Sequence, residues 1–133
     1  MNFKDNKSFL TNQFKQILEM EKKGESPTPQ FKMNFYNIVY KACDHKGGRD
    51  MYDLHSSFIM YCIKEYINIL NNKSNIDFII LFNKQIDRIK YLLKLLNTLF
   101  IYLEGFYIKS KGILTLNEKS FNLYINEFFI LWL

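Results

Sequence analysis

The sequence predicts an all-α protein, a bundle of five helices. Three observations carry that expectation. Apolar residues recur at steps of three and four over long segments. No segment sustains the apolar–polar alternation of a half-buried strand. Turn-forming residues are gathered into four short breaks, which leave five helix-length segments between them. The chain has 133 residues, the size of one domain. With 48% hydrophobic and 17% aromatic residues it has the material for a core and does not read as disordered. Its 5 Gly and 2 Pro exclude a collagen-like or linker-like chain, and its 2 Cys exclude a disulfide scaffold.

Residues 1–8 are polar and expected to be flexible, with a single domain over 9–133. Ser8–Lys22 places Phe9, Leu10, Phe14, Ile17 and Leu18 on one helical face. Lys22–Gln30 holds both prolines and a glycine and reads as a loop. Phe31–Cys43 is the second helix, and His45–Arg49, with adjacent glycines, the next break. Asp50 is a candidate N-cap for a third helix over Met51–Leu70. Asn71–Asn75 is a turn. A long fourth helix is expected over Ile76–Ile108, with Asn83, Asp87, Lys90, Lys94 and Asn97 as its polar stripe. Lys109–Gly112 ends it. Leu116–Leu131 is the fifth, with Asn117 as a candidate cap. No internal repeat is visible.

The charge pattern argues against a nucleic-acid footprint. The net charge is +5, but only Arg49 and Arg88 carry the planar guanidinium that suits phosphate and base edges. The lysines are dispersed from Lys4 to Lys119. The longest stretches without Asp, Glu, Lys or Arg are Leu54–Ile63 and Leu95–Leu103. Both are well short of the roughly 20 residues of a spanning helix. The start, MNFKDNKSF, has no apolar core for a secretory signal. A soluble intracellular protein with reduced thiols, cytoplasmic or nuclear, is the expectation.

Catalytic patterns are missing. The glycines build no phosphate-cradling loop, and Ser56 and Ser57 beside His55 lack a nucleophile-elbow motif. The acidic residues fall on helix surfaces. The sequence predicts neither an enzyme nor a cofactor. Cys43, His45, His55 and Cys62 could in principle hold zinc. However, His55 and Cys62 stand seven residues apart, about two helical turns, and do not converge on one ion. The plainer expectation is a buried Cys62, a helix-end Cys43, two exposed histidines and no metal.

The second helix is the most informative. At about 100° per residue, Phe31, Phe35, Ile38, Val39 and Ala42 share one face. Met33, Tyr36 and Tyr40 share the other, with Lys32 at its margin. An amphipathic helix has one apolar stripe; this one has two. Two readings stay open: a central helix buried on both sides, or a helix with one face in the core and the other toward a partner. Tyr and Met are types enriched at interfaces.

These residues carry a family resemblance. FKMNFYNIVYKAC (Phe31–Cys43) resembles the second helix of the cullin N-terminal domain, with its Leu/Phe-Tyr pair followed four residues later by Tyr. MYDLHSSFIMYCI (Met51–Ile63) is similar to the third helix, and LFNKQIDRIKYLLKLLNTLFIYLEGFYI (Leu81–Ile108) to the fourth. Ile113–Phe129 matches the spacing of the fifth, with Phe121 and Tyr124 in apolar family positions, so the resemblance covers roughly residues 9 to 130. It implies a first cullin repeat, a five-helix, cullin-repeat-like bundle. In that family the repeat binds a BTB/POZ-fold adaptor, which holds the substrate receptor of a RING-type ubiquitin ligase. Carried over by position, the adaptor-binding set is Lys32, Met33, Tyr36 and Tyr40, with Tyr102 near the end of the fourth helix. The sequence departs from the family at Lys32, where an aromatic or apolar residue is usual, at Ile86 in place of a Trp, and at Gly105 in place of an Arg. A complete cullin has three such repeats and a C-terminal domain that recruits the RING subunit. At 133 residues this chain spans one repeat, so RING-subunit binding is not expected from it. The expectation is a non-catalytic scaffold module, either a truncated relative or a stand-alone repeat. The alternative is an unrelated basic helical protein that binds nucleic acid or an anionic membrane surface.

Overall fold

A computed structural model describes residues 3–44, 47–71 and 75–132. Five long helices account for most of them: α1 (Phe3–Lys22), α2 (Pro29–Asp44), α3 (Gly48–Asn71), α4 (Asn75–Leu99) and, after a short α5 (Lys109–Lys111), α6 (Leu116–Trp132). A π-helical turn, Glu104–Ile108, leads into α5. Among the described residues there is no strand. The protein is all-α, as the periodicity requires. The helices form two compact units. One is built from residues up to Leu54 together with Leu99–Ile113, the other from His55–Thr98 together with residues from Leu114 onward.

In the first unit α1 packs on α2. Its core takes Leu10, Phe14, Ile17 and Leu18 from α1, Phe35, Val39 and Ala42 from α2, and Met51, Tyr52 and Leu54 from the start of α3. Phe100, Leu103 and Ile108 complete it. The Phe35 and Phe100 rings meet edge to face at 5.4 Å. α1 starts at Phe3 rather than Ser8. Asn6 is buried and Asp5 lies in the first turn, where a carboxylate favours the helix N-terminus, so the polar start is helical. α2 opens two residues early because Pro29 suits the first helical position. There the Thr28 hydroxyl caps the helix, accepting from the Phe31 N–H at 3.1 Å. α3 begins at Gly48, so Asp50 sits inside the first turn instead of capping it. The Tyr107 ring lies so close to Gly48 that a Cβ there would stand 2.7 Å from it.

The long fourth helix expected over Ile76–Ile108 is not continuous. α4 stops at Leu99, and the chain tightens, with Leu103 N–H bonded to the Phe100 carbonyl and Glu104 N–H to that of Ile101, both at 3.0 Å. The π-turn comes next. In a continuous α-helix Ile108 would point about 140° away from Leu103. The wider turn brings both into the core, where each is at most 4% exposed. Gly112, at φ 63°, closes α5 in the left-handed conformation that glycine adopts without strain.

In the second unit Phe58, Ile59, Cys62, Ile63 and Tyr66 of α3 are buried, as are Ile89, Leu92, Leu95 and Leu96 of α4 and Leu116 of α6. Arg88 donates to Glu65 at 3.1 Å across α3 and α4 in a largely buried ion pair. Asn83, Asp87, Lys90 and Lys94 are exposed as the stripe requires, but Asn97 is half-buried and joins a polar cluster. His55 Nε2 and Asn97 Oδ1 lie 2.7 Å apart, and Ser120 Oγ is 3.3 Å from the same oxygen. The Asn97 amide donates to Asn117 Oδ1 at 2.7 Å. His55 is fully buried, against the expectation of an exposed side chain. Its place on an apolar face is met by the Asn97 carbonyl oxygen, which makes the imidazole tolerable in the core. Burial, assisted by the positive charge of Lys119, pushes its pKa down to about 4, with the Asn97 hydrogen bond opposing.

α6 is capped by Thr115, not Asn117. The Glu118 N–H donates to Thr115 Oγ1 at 3.1 Å, and the hydroxyl donates to the Glu118 carboxylate at 3.0 Å. This is the Thr-x-x-Glu capping pattern. Thr115→Ala should lower stability by about 1 kcal/mol in a urea titration. An unchanged midpoint would place the cap elsewhere. The turn expected at 71–75 lies mostly outside the described residues, as does His45. Of the other candidate zinc ligands, Cys43 is half-buried and Cys62 buried. Among the described residues no group of three or more His, Cys, Asp or Glu is gathered as a metal site. No described helix is long and apolar enough to cross a membrane.

Candidate functional site

α2 presents two unlike faces. Phe35 and Val39 are fully buried and Ala42 nearly so, while Phe31 and Ile38 are half-buried at the edges. On the opposite side Met33 is 54% and Tyr40 40% exposed, Tyr36 is half-buried and Lys32 exposed. Of the two readings left open by the sequence, burial on both sides is excluded. A tyrosine–methionine stripe remains at the surface.

The sequence separates Tyr102 from this stripe by more than sixty residues. The fold brings it in. Its ring meets that of Tyr40 edge to face, with centroids 4.7 Å apart and planes at 69°. Tyr36 stacks on Tyr40 at 6.5 Å and 23°, as residues one helical turn apart can. Each such pair contributes about 0.5–1.5 kcal/mol beyond area burial. The three phenols thus form one run of rings, with Tyr40 at the middle. The tight turn that ends α4 places Tyr102, since Phe100 and Leu103 on either side of it are fully buried and anchor the backbone.

Lys32, Met33, Tyr36 and Tyr40 therefore lie together along α2, and Tyr102 joins them through Tyr40. Ile101, next to Tyr102 and 52% exposed, carries no signal in the sequence. Two residues from both Leu99 and Leu103, it stands on the side of the chain opposite these buried leucines. The groups assembled here are phenols, a thioether and an ammonium. They offer contact area with polar tips, which is the chemistry of protein binding. Tyr61, Tyr91 and Phe121 are also exposed, singly on three helices of the second unit, as scattered surface apolars commonly are.

Searches of curated proteins and of solved structures each return no significant match. A family model, described as the cullin alpha solenoid domain, matches residues 7–131. That span contains all the described helices almost entire, including both faces of α2 and the turn that carries Tyr102. It agrees with the helix-by-helix resemblance from the second helix to the fifth, and it makes the fold a scaffold type. The chain belongs to the cullin family.

Proposed function

We propose that this chain is a non-catalytic scaffold module of a cullin-RING ubiquitin ligase, and that it docks a BTB/POZ-fold adaptor on the outer face of α2. One observation supports this reading above the others. The stripe of Met33, Tyr36 and Tyr40 stands opposite the core face of Phe35, Val39 and Ala42, and its rings are held in place by mutual packing and by Tyr102. Rings already ordered before binding lose little side-chain entropy on contact, which favours affinity. Tyrosines at the centre of an interface are frequent anchors, each costing on the order of 2 kcal/mol or more when truncated.

The test is the double substitution Tyr36→Ala, Tyr40→Ala. Binding of a purified BTB/POZ-fold adaptor should weaken by about 100-fold or more, measured by calorimetry. Stability should fall by only about 1–3 kcal/mol, the worth of two ring pairs. If the folded wild-type chain binds none of a panel of such adaptors at tens of micromolar, the reading fails. If it instead binds nucleic acid or anionic vesicles, with affinity that falls steeply with salt and ignores the tyrosines, the basic-protein alternative replaces it.

A further inference from the structure

The docking stripe is flanked by two lysines, while Asp44, the last residue of α2, follows one turn after Tyr40. On α2, Lys32 lies one turn before Tyr36 and on its far side from Met33. Lys41 lies past Met33 in the other direction, beyond Asn37. Both lysines are exposed, and neither is paired with a carboxylate among the described residues. Asp44 is the one acidic residue of α2. The segment Leu99–Ile113, which brings Tyr102 into the same unit, has Glu104 as its one carboxylate, and that residue is half-buried. An apolar, aromatic centre thus has a lysine on each side, the layout of an interface with a dry core and a polar edge. A nucleic-acid track would instead run charge through its middle.

We infer that the partner surface seated on this face carries carboxylates on both sides of an apolar seat, and that Lys32 and Lys41 select such a partner and steer its approach. The inference rests on the docking reading above and adds the chemistry of the partner's surface. Long-range attraction acts before contact, so it changes the association rate, whereas the tyrosine anchors govern dissociation.

The experiment measures association and dissociation rates for purified BTB/POZ-fold adaptor domains at about 50 mM and about 300 mM salt, where screening differs strongly. It compares the wild-type chain with Lys32→Glu/Lys41→Glu, Lys32→Met/Lys41→Met and Tyr36→Ala/Tyr40→Ala. Circular dichroism confirms that each variant is folded. Charge reversal should slow association about tenfold or more at low salt and remove most of its salt dependence. The methionine pair should fall between, and only the alanine pair should speed dissociation strongly. If both lysine variants associate at the wild-type rate with the wild-type salt dependence while the alanine pair still fails to bind, docking stands and the charge inference is overturned. If the wild-type chain binds no adaptor, the docking reading falls and takes this inference with it. If the wild-type chain binds a mixed-sequence nucleic acid near physiological salt, and only the lysine reversal abolishes that binding, the partner class is wrong.

Discussion

Phe35→Ala should destabilise the protein by about 3–5 kcal/mol, the range for deleting a fully buried phenyl ring. Met33→Ala, two residues away on the same helix, should change stability by no more than about 0.5 kcal/mol. The contrast arises from where the two side chains sit. Phe35 is 0% exposed and its ring meets Phe100 edge to face at 5.4 Å, in a core that also holds Leu10, Ile17 and Val39. Removing it leaves a void lined by groups that cannot all collapse inward, so the loss exceeds the transfer free energy of the ring. Met33 is 54% exposed and leaves only surface behind. Urea titrations of the two single variants measure both numbers. A Phe35→Ala loss below about 1 kcal/mol would mean that the core face of α2 has been misassigned, since no well-packed phenyl ring is so cheap to remove.

The second large effect is acid loss of stability through His55. Its ordinary pKa is 6.5, and burial holds it at about 4 in the folded protein. The unfolded chain therefore takes up a proton between those values that the folded chain refuses. The contribution of the neutral imidazole is complete above pH 6.5. It shrinks as the pH falls from there and is lost by about pH 4. At 1.36 kcal/mol per unit, the total is on the order of 3 kcal/mol. Carboxylates titrate in the same range, so the measurement is a difference. Stability is recorded from pH 7.5 to about 4 for the wild type and for His55→Gln, which removes the titrating group. The wild-type curve should fall more steeply below pH 6.5, and parallel curves would show that His55 is not the source.

Much of the fold can be read from the sequence because burial repeats at helical intervals. Most of the apolar sets of α1 and α2 are buried as expected, Leu10, Phe14, Ile17 and Leu18 on the first and Phe35, Val39 and Ala42 on the second, while Phe9, Phe31 and Ile38 are half-buried at the edges. Starts and stops are harder, because they depend on single side chains. Thr115 caps α6 with Glu118 three residues on, and that pair is visible in the sequence. By residue type Asn117 is as good a cap, yet its side chain is taken by Asn97. The break after Leu99 is not legible. Its cause is the simultaneous burial of Phe100, Leu103 and Ile108, a spacing that periodicity alone does not resolve into a tight turn and then a wide one.

His55 shows a different limit. Composition places a histidine in water by default, and only its three-dimensional neighbour, 42 positions along the chain, makes it a core residue. For the candidate docking face, the helical wheel finds the α2 members. Tyr102 comes only from the family resemblance, since no local pattern links it to Tyr40. Ile101 escapes both routes.

The π-turn at Glu104–Ile108 has an evolutionary consequence. A π-turn spans one residue more than the α-turn it replaces. Deleting a single residue there would let the segment return to ordinary α-helix without opening a loop. The residues directly after it would turn by about 100°, while Phe100 to Leu103, which precede it, would keep their backbone. Tyr102 would stay against Tyr40, whereas Ile108 would leave the core and Tyr107 would leave Gly48. The segment is thus a place where chain length can change by one residue directly beside the docking residues. Such a change would cost Ile108 its place in the core and leave the tyrosine run intact.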